Sequence, residues 1–184
     1  MKELILLLIL HLYNRSAKKL TINEDIDHWK EILGWQGDYE QLIKRLFIEK
    51  IEFRNLFYYR IGELLFVSRI IRFFFPPLPT LYLWTPHIGG GLFIQHGFAT
   101  VVAAKSIGSH CFVNQQVTIG YNGLYAPIIG DNVMVTCGAK VLGNVKVGNN
   151  VIIGANAVVV KDVPDNATVV GVPAKIVKIN GVRV

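Results

Sequence analysis

The stretch IGDNVMVTCGAKVLGNVKVGNNVIIGANAVVV, Ile129 to Val160, places a branched aliphatic residue at every sixth position: Ile129, Val135, Val141, Val147, Ile153 and Val159. The same phase precedes it at Val101, Ile107, Val113 and Ile119, before a short insertion. All ten slots hold Val or Ile, and in five of them the next residue is glycine (Gly108, Gly120, Gly130, Gly148 and Gly154). The fifth slot of the hexad is mostly small or modest in volume, as at Cys111, Ala139, Val145, Val151 and Ala157. Such a period fits neither an α-helix, at about 3.6 residues per turn, nor a simple strand, whose side chains repeat about every 2 residues. It fits a short strand and a tight turn, three of which close a triangular coil of about eighteen residues. Stacked coils then bury the aliphatic slots in one column. Glycine beside the slot suits a sharp corner whose backbone angles a Cβ penalises. A β-sandwich would instead show alternation broken by turn signals about every 8–12 residues.

With 184 residues, 52% hydrophobic and 17% charged, the chain is a folded one, long enough for one good core or for one domain with a sizeable appendage. Two cysteines, Cys111 and Cys137, make no disulfide framework and point to a reducing compartment. The net charge of +6 is uneven: residues 1–43 sum to −2, residues 44–75 to +4 and residues 76–184 to +4. The basic middle stretch is rich in aromatics, which favours an anionic or membrane-surface partner over nucleic acid. MKELILLLIL has the length of a signal-peptide core, but Glu3 offsets Lys2 and no small-residue cleavage site follows. It is shorter than the roughly 20 residues of a bilayer span, so it reads as a buried or interfacial helix. Leu56 to Phe75 is long enough, but Arg60, Glu63, Arg69 and Arg72 leave it no clean lipid-facing side. TINEDIDHWKEILG predicts a helix with Thr21 and Asn23 as candidate N-caps, Glu24 completing a capping box and Gly34 as the stop. A second helical stretch is predicted from about Asp38 towards Phe75, ended by FFFPPLP.

In GLFIQHGFATVV, Gly91 to Val102, one histidine interrupts an apolar run. His96 could be a packed core residue, a metal ligand or a catalytic base. It stands two residues past Ile94, just before the phase slips at Thr100, which places it near a corner and outside the column. His87, His96 and His110 are 9 and 14 residues apart, neither of which repeats an eighteen-residue coil, so no metal site is expected. Cys111 falls in a fifth slot, where a structural cysteine is the better reading than a nucleophile.

These motifs carry a resemblance. Residues 86–179 resemble the hexapeptide-repeat acyltransferases, and among them the serine acetyltransferase branch, on GLFIQHGFATVV, on VTIG and on GAKVLGNVKVGNNVIIGANAVVVKDVP followed by VVGVPAKIV. The resemblance implies a left-handed parallel β-helix, a hand that departs from the usual right-handed crossover. The expected organisation is an α-helical region over residues 1–80, the β-helical acyltransferase domain over 81–179 and a tail over 180–184. It implies acetyl-CoA as co-substrate, no metal, and His96 as general base. It further implies a homotrimer with each site between two subunits, with pairing of trimers left open. Cys137, Gly138, Ala139 and Ala155 would lie along the pantetheine arm, and Lys161 and Lys175 near the nucleotide phosphates, unless they are solvated edge charges.

The departures from that branch are specific. It has Asp before its histidine, where this chain has Gln95. It has an acidic partner fifteen residues upstream, where this chain has Leu81. Its inserted loop ends Asp-Arg-His-Pro; here the loop is YNGLYAP, with Tyr125 and Ala126 in place of the Arg and His. Gln95 and Tyr125 are therefore acceptor-site candidates. Gln95, a backbone carbonyl or an acidic residue of the N-terminal region remains to orient the imidazole. An L-serine site must neutralise a carboxylate and an ammonium. The expected acceptor is accordingly a sugar hydroxyl in surface or capsular polysaccharide synthesis, in the cytoplasm against the inner membrane surface. L-serine is the alternative acceptor, and a non-catalytic β-helix scaffold the alternative of another class.

Overall fold

The computed structural model describes residues 2–62 and 65–184. Its helical region comprises α1 (Lys2–Arg15), α2 (Lys19–Leu33), α3 (Tyr39–Glu49), α4 (Ile51–Ile61) and α5 (Leu65–Phe74). On α1, Ile5, Leu6, Ile9, Leu10 and Tyr13 are buried, against α2, α3 and α5. Among the described residues no helix is long and apolar enough to cross a membrane; Glu63, one of the charges in the Leu56–Phe75 run, lies outside them.

Two helix boundaries differ from expectation. α2 starts at Lys19, ahead of Thr21 and Asn23, so neither is a cap, and the Asn23 side chain instead accepts from the Tyr13 hydroxyl at 2.6 Å. The earlier start puts Ile22 inside the helix, on the buried face with Asp25, Ile26 and Trp29, so tertiary packing overrides the local cap signal. Gly34 ends the helix as expected, left-handed at φ 65°. The long second stretch is three helices. Asp38 caps α3 by accepting the Gln41 N–H at 2.9 Å, with the Gln41 side chain returning to the Asp38 N–H. Lys50, extended at φ −122° and ψ 98°, breaks the run. The break folds α3 and α4 against each other, with Phe47 and Phe57 edge to face at 4.8 Å between centroids.

The remainder is a parallel β-helix. Its strands are β1 (Leu81–Leu83), β2 (Phe93–Ile94), β3 (Thr100–Val102), β4 (Ser106–Ile107), β5 (Phe112–Val113), β6 (Thr118–Gly120) and β7 (Ile128–Ile129). They continue as β8 (Met134–Val135), β9 (Lys140–Leu142), β10 (Lys146–Val147), β11 (Ile152–Ile153) and β12 (Val158–Val159). β13 (Ala167–Val170), β14 (Lys175–Ile179) and β15 (Val182–Arg183) close the chain. The strands form three walls: β1, β3, β6, β9 and β12 in the first; β4, β7 and β10 in the second; β2, β5, β8, β11 and β13 in the third. The chain passes from first wall to second to third and back.

Ile129 pairs with Val147, Val135 with Ile153 and Val141 with Val159, each eighteen residues on. Nine of the ten slots are buried, each such side chain contributing about 1.5–3 kcal/mol. The exception is Val101: it is half-buried, and Val102 points inward, in register with Ile119. The corner before it holds two left-handed residues, His96 and Ala99, both at φ 52°, and is two residues longer than the corner of the next coil, since Ile94 pairs with Val113 but Val101 with Thr118.

The glycines after the slots serve a different purpose from the one expected. Gly108, Gly130 and Gly148 are not left-handed; a Cβ on Gly108 would lie 2.6 Å from the Gly130 backbone. They permit close stacking of coils, while the left-handed positions on that edge are His110, Asn132, Asn150 and Asn166. Asp131, Asn149 and Asp165 each accept, through Oδ1, an N–H one coil earlier at 2.7–2.8 Å. The far end of the β-helix is closed by β14 and β15, which continue the third wall antiparallel. Residues 180–184, read as a tail, therefore include β15.

Candidate active site

His96 follows β2 on the edge where the third wall turns into the first. Every coil passes this edge in the same conformation: Ala99 (φ 52°), Gln116 (φ 58°), Gly138 (φ 71°) and Asn156 (φ 57°) are left-handed and stack in register. The column is stitched by backbone bonds, Gln116 N–H to Phe98 O at 3.0 Å, Gly138 N–H to Gln115 O at 3.0 Å and Asn156 N–H to Cys137 O at 2.9 Å. His96 is a second left-handed residue, peculiar to the corner of the first coil (φ 52°), in a conformation that histidine tolerates better than branched residues. Its ring is exposed, and its side chain has no hydrogen-bond partner among the described residues. It is not a core histidine. His110 stands on a different edge, between the second and third walls, its ring against that of His28.

The same edge carries Cys137, Gly138 and Ala155 in the coils beyond His96. Cys137 and Gly138 are half-buried and Ala155 is exposed. A Cβ on Gly138 would overlap the Asn156 side chain, so the edge has no room for a side chain at this position. Ala139 differs: it is fully buried, and its N–H and C=O are bonded to Thr136 and Thr118. Lys161 and Lys175 are exposed and line one small cavity of about 160 Å³ at the C-terminal end. Exposed Gln95 adjoins His96, whereas Tyr125 lies on the edge between the first and second walls, in an exposed turn closed by Asn122 N–H to Tyr125 O at 2.9 Å. One chain therefore brings Gln95 to His96 but leaves Tyr125 on another edge.

Cys111 is buried, and burial pushes its thiol up to about 11. The thiolate is the reactive form, so Cys111 is expected to resist a thiol reagent at pH 8 in the folded protein. Counting labelled thiols before and after denaturation checks this: one (Cys137) when folded and two when unfolded. Rapid labelling of Cys111 in the native state would contradict the structural reading.

The helices fix the first coil through contacts that the sequence did not announce. Arg60 of α4 donates to both carboxylate oxygens of Asp25 on α2, at 2.8 and 3.0 Å, and to the carbonyls of Ile88 and Gly89, each at 2.6 Å. Asp25 Oδ1 accepts the N–H groups of Gly91 and Leu92 at 2.8 and 3.1 Å. Burial pushes the Asp25 carboxyl up, and the guanidinium and the two backbone N–H groups oppose it. His28 bonds the Gly91 carbonyl, and Trp29 Nε1 donates to Leu92 O at 2.8 Å. The available signal was Asp25 on the apolar face of α2, three residues after Ile22 and four before Trp29. These bonds hold the backbone of residues 88–92, which runs directly into β2 and His96.

Comparison with known proteins follows the same division. Residues 126–161 match the family described as bacterial transferase hexapeptide (six repeats). The chain is 50% identical over 102 residues to the serine acetyltransferase of Staphylococcus aureus (strain Mu50), covering 53% of this chain and 48% of that protein. It is 45% identical over 102 residues to that of Synechococcus elongatus, covering 53% and 42%. The chain thus spans less than half the length of these curated relatives. Structural likeness reaches further, into the helices. A serine acetyltransferase in complex with CoA superposes with a TM-score of 0.65 at 28% identity, over 92% of this chain and 74% of that one. The serine acetyltransferase of Brucella abortus strain S19 gives 0.64 at 25% identity, over 88% and 69%. The chain therefore carries the bacterial transferase hexapeptide repeat, on a β-helix similar to that of serine acetyltransferases.

Proposed function

We propose that this protein is an acetyl-CoA-dependent O-acetyltransferase with His96 as general base and L-serine as acceptor. The observation that carries the reading is the single edge that holds an exposed, unpaired imidazole at one end and the small residues Cys137, Gly138 and Ala155 further along. In this mechanism the neutral imidazole of His96 takes the proton of the acceptor hydroxyl as its oxygen attacks the thioester carbonyl. The C–S bond then breaks, and the imidazolium returns the proton to the departing CoA thiolate. The edge beside Gly138 would hold the pantetheine arm. Lys161 and Lys175, together at the C-terminal end, suit phosphate groups. Ala139 contributes to the interior.

The polysaccharide acceptor expected from Gln95, Leu81, Tyr125 and Ala126 is not supported by the relatives above, which are serine acetyltransferases, and it gives way to L-serine. Those substitutions still remove charge from the acceptor side, so saturation is expected only at high L-serine. A homotrimer accounts for Tyr125, since an adjoining subunit's first-to-second edge can meet the edge of His96.

The test is thiol release from acetyl-CoA with L-serine and with a panel of nucleotide sugars. L-serine-dependent release is expected, together with a rise in thermal stability on adding acetyl-CoA; a ligand at 100 times its Kd adds about 2.7 kcal/mol. Release with a sugar and none with L-serine would restore the sugar acceptor. No release and no thermal shift at millimolar acetyl-CoA would leave a non-catalytic scaffold.

A further inference from the structure

We propose that Glu52, on the first turn of α4, is the carboxylate that positions His96, in place of the acidic residue absent at Leu81. The proposal rests on His96 being the base. Its starting point is Gly97, the residue after His96. A Cβ there would lie 2.9 Å from Ile94 Cγ2, 3.0 Å from Leu81 Cδ2 and 3.3 Å from Glu52 Cγ. Glycine at 97 thus lets α4 close on the His96 corner, and the stem of Glu52 packs beside Leu81 in that contact.

α4 is held in this place by Asn55, three residues on from Glu52 and on the same side of the helix. Its Oδ1 accepts the Leu78 N–H at 2.7 Å, and its Nδ2 donates to the carbonyls of Leu78 and Leu81 at 2.9 and 3.1 Å. Leu81 itself is buried, so its side chain offers only apolar packing at the corner. Glu52 is half-buried, and its carboxylate has no hydrogen bond or ion pair among the described residues. The nearby cations are engaged. Arg54 donates to the carbonyls of Phe47, Ile48 and Pro76, and Lys50 lies over the Trp35 ring. Glu49 is paired with Arg45, and Lys140, one wall along, donates to Gln116 O. Two groups with unused hydrogen-bonding capacity, a carboxylate and an imidazole, therefore flank one glycine.

A carboxylate accepting one ring N–H fixes the tautomer, leaves the other nitrogen free to take the acceptor proton, and stabilises the imidazolium that forms. Gln95 can accept a hydrogen bond but supplies no charge. The contact itself would form by rotation of the Glu52 and His96 side chains about the glycine between them.

The sign of the effect is defined. A neighbouring carboxylate raises the pKa of a histidine, so removing it lowers that pKa. The experiment follows the ring of His96 by NMR in ¹⁵N-histidine-labelled protein, assigned with His96→Asn, for the wild type and Glu52→Gln. The His96 titration midpoint is expected to fall by about 0.5 to 1 in the variant. With L-serine as acceptor, kcat is expected to fall about 10- to 100-fold, less than loss of the base itself, with KM little changed. The acid limb of kcat/KM moves to lower pH.

An unchanged His96 titration in Glu52→Gln overturns the proposal. A loss confined to KM also overturns it, and makes Glu52 an acceptor-binding group. Should the glutamine variant fail to fold, the wild-type protein decides: a His96 midpoint no higher than that of an isolated histidine counts against the proposal. The NMR readout needs no acceptor. If His96 proves dispensable for turnover, the titration still decides whether Glu52 faces it.

Discussion

His96→Asn is expected to lower the rate of acetyl transfer by about 10²–10⁴-fold, the usual effect of removing a positioned general base. Acetyl-CoA affinity should remain nearly unchanged, because the imidazole acts on the acceptor proton and stands at one end of the edge assigned to the cofactor. Asparagine is the appropriate replacement. The position is left-handed at φ 52°, a conformation that asparagine tolerates well and already occupies at Asn156 on the same edge. The ring is exposed, so its removal leaves no cavity. Steady-state thiol release and calorimetric titration of acetyl-CoA check both halves. Near-wild-type turnover from a folded variant would show that His96 only shapes the corner.

Arg60→Met is expected to destabilise the protein by about 3–5 kcal/mol, the cost of removing one partner of a buried pair. The substitution leaves the Asp25 carboxylate in a site where it is 1% exposed, and it removes the donors of the Ile88 and Gly89 carbonyls. At about 2–4 °C per kcal/mol for a chain of this size, Tm should fall by about 6–20 °C. Thermal melts at matched protein concentration measure it. Arg60→Lys should recover little, because an ammonium cannot serve both carboxylate oxygens and two carbonyls with the geometry of a guanidinium. The clamp holds residues 88–92, so activity is expected to decline before global unfolding does. A Tm change within 2 °C for Arg60→Met would mean that the other contacts, the packing of Trp29, Phe53 and Phe93 and the bonds of Trp29 and Asn55 to the first coil, hold the helices to the β-helix without the clamp.

The β-helix was legible because its signal is local and repeated. Each aliphatic slot asks for burial on its own, and nine of ten have it. The tenth shows where counting stops working: the length of the His96–Ala99 corner depends on two left-handed residues that no period predicts, and Val102 replaces Val101. Glycine after the slot does mark a corner, but left-handed backbone is not what requires it at Gly108, Gly130 and Gly148. Close approach of the next coil, as at Gly108 and Gly130, is a property of stacking that appears only in three dimensions.

By itself the sequence determined the coil architecture, the place of His96 near a corner and outside the column, the helical N-terminal region and the Gly34 stop, since periodicity and capping act within a few residues. The tertiary structure alone decided that the corner of His96 shares an edge with Gly138 and Asn156, that Tyr125 stands on another, that Asp25 and Arg60 are a buried clamp, and that Glu52 packs on Gly97. Asp25 and Arg60 are thirty-five residues apart, and Glu52 and Gly97 lie on different elements. A charged residue carries no mark of whether it will face water or a partner; the docking of the helices on the first coil settles which groups are desolvated and what they meet.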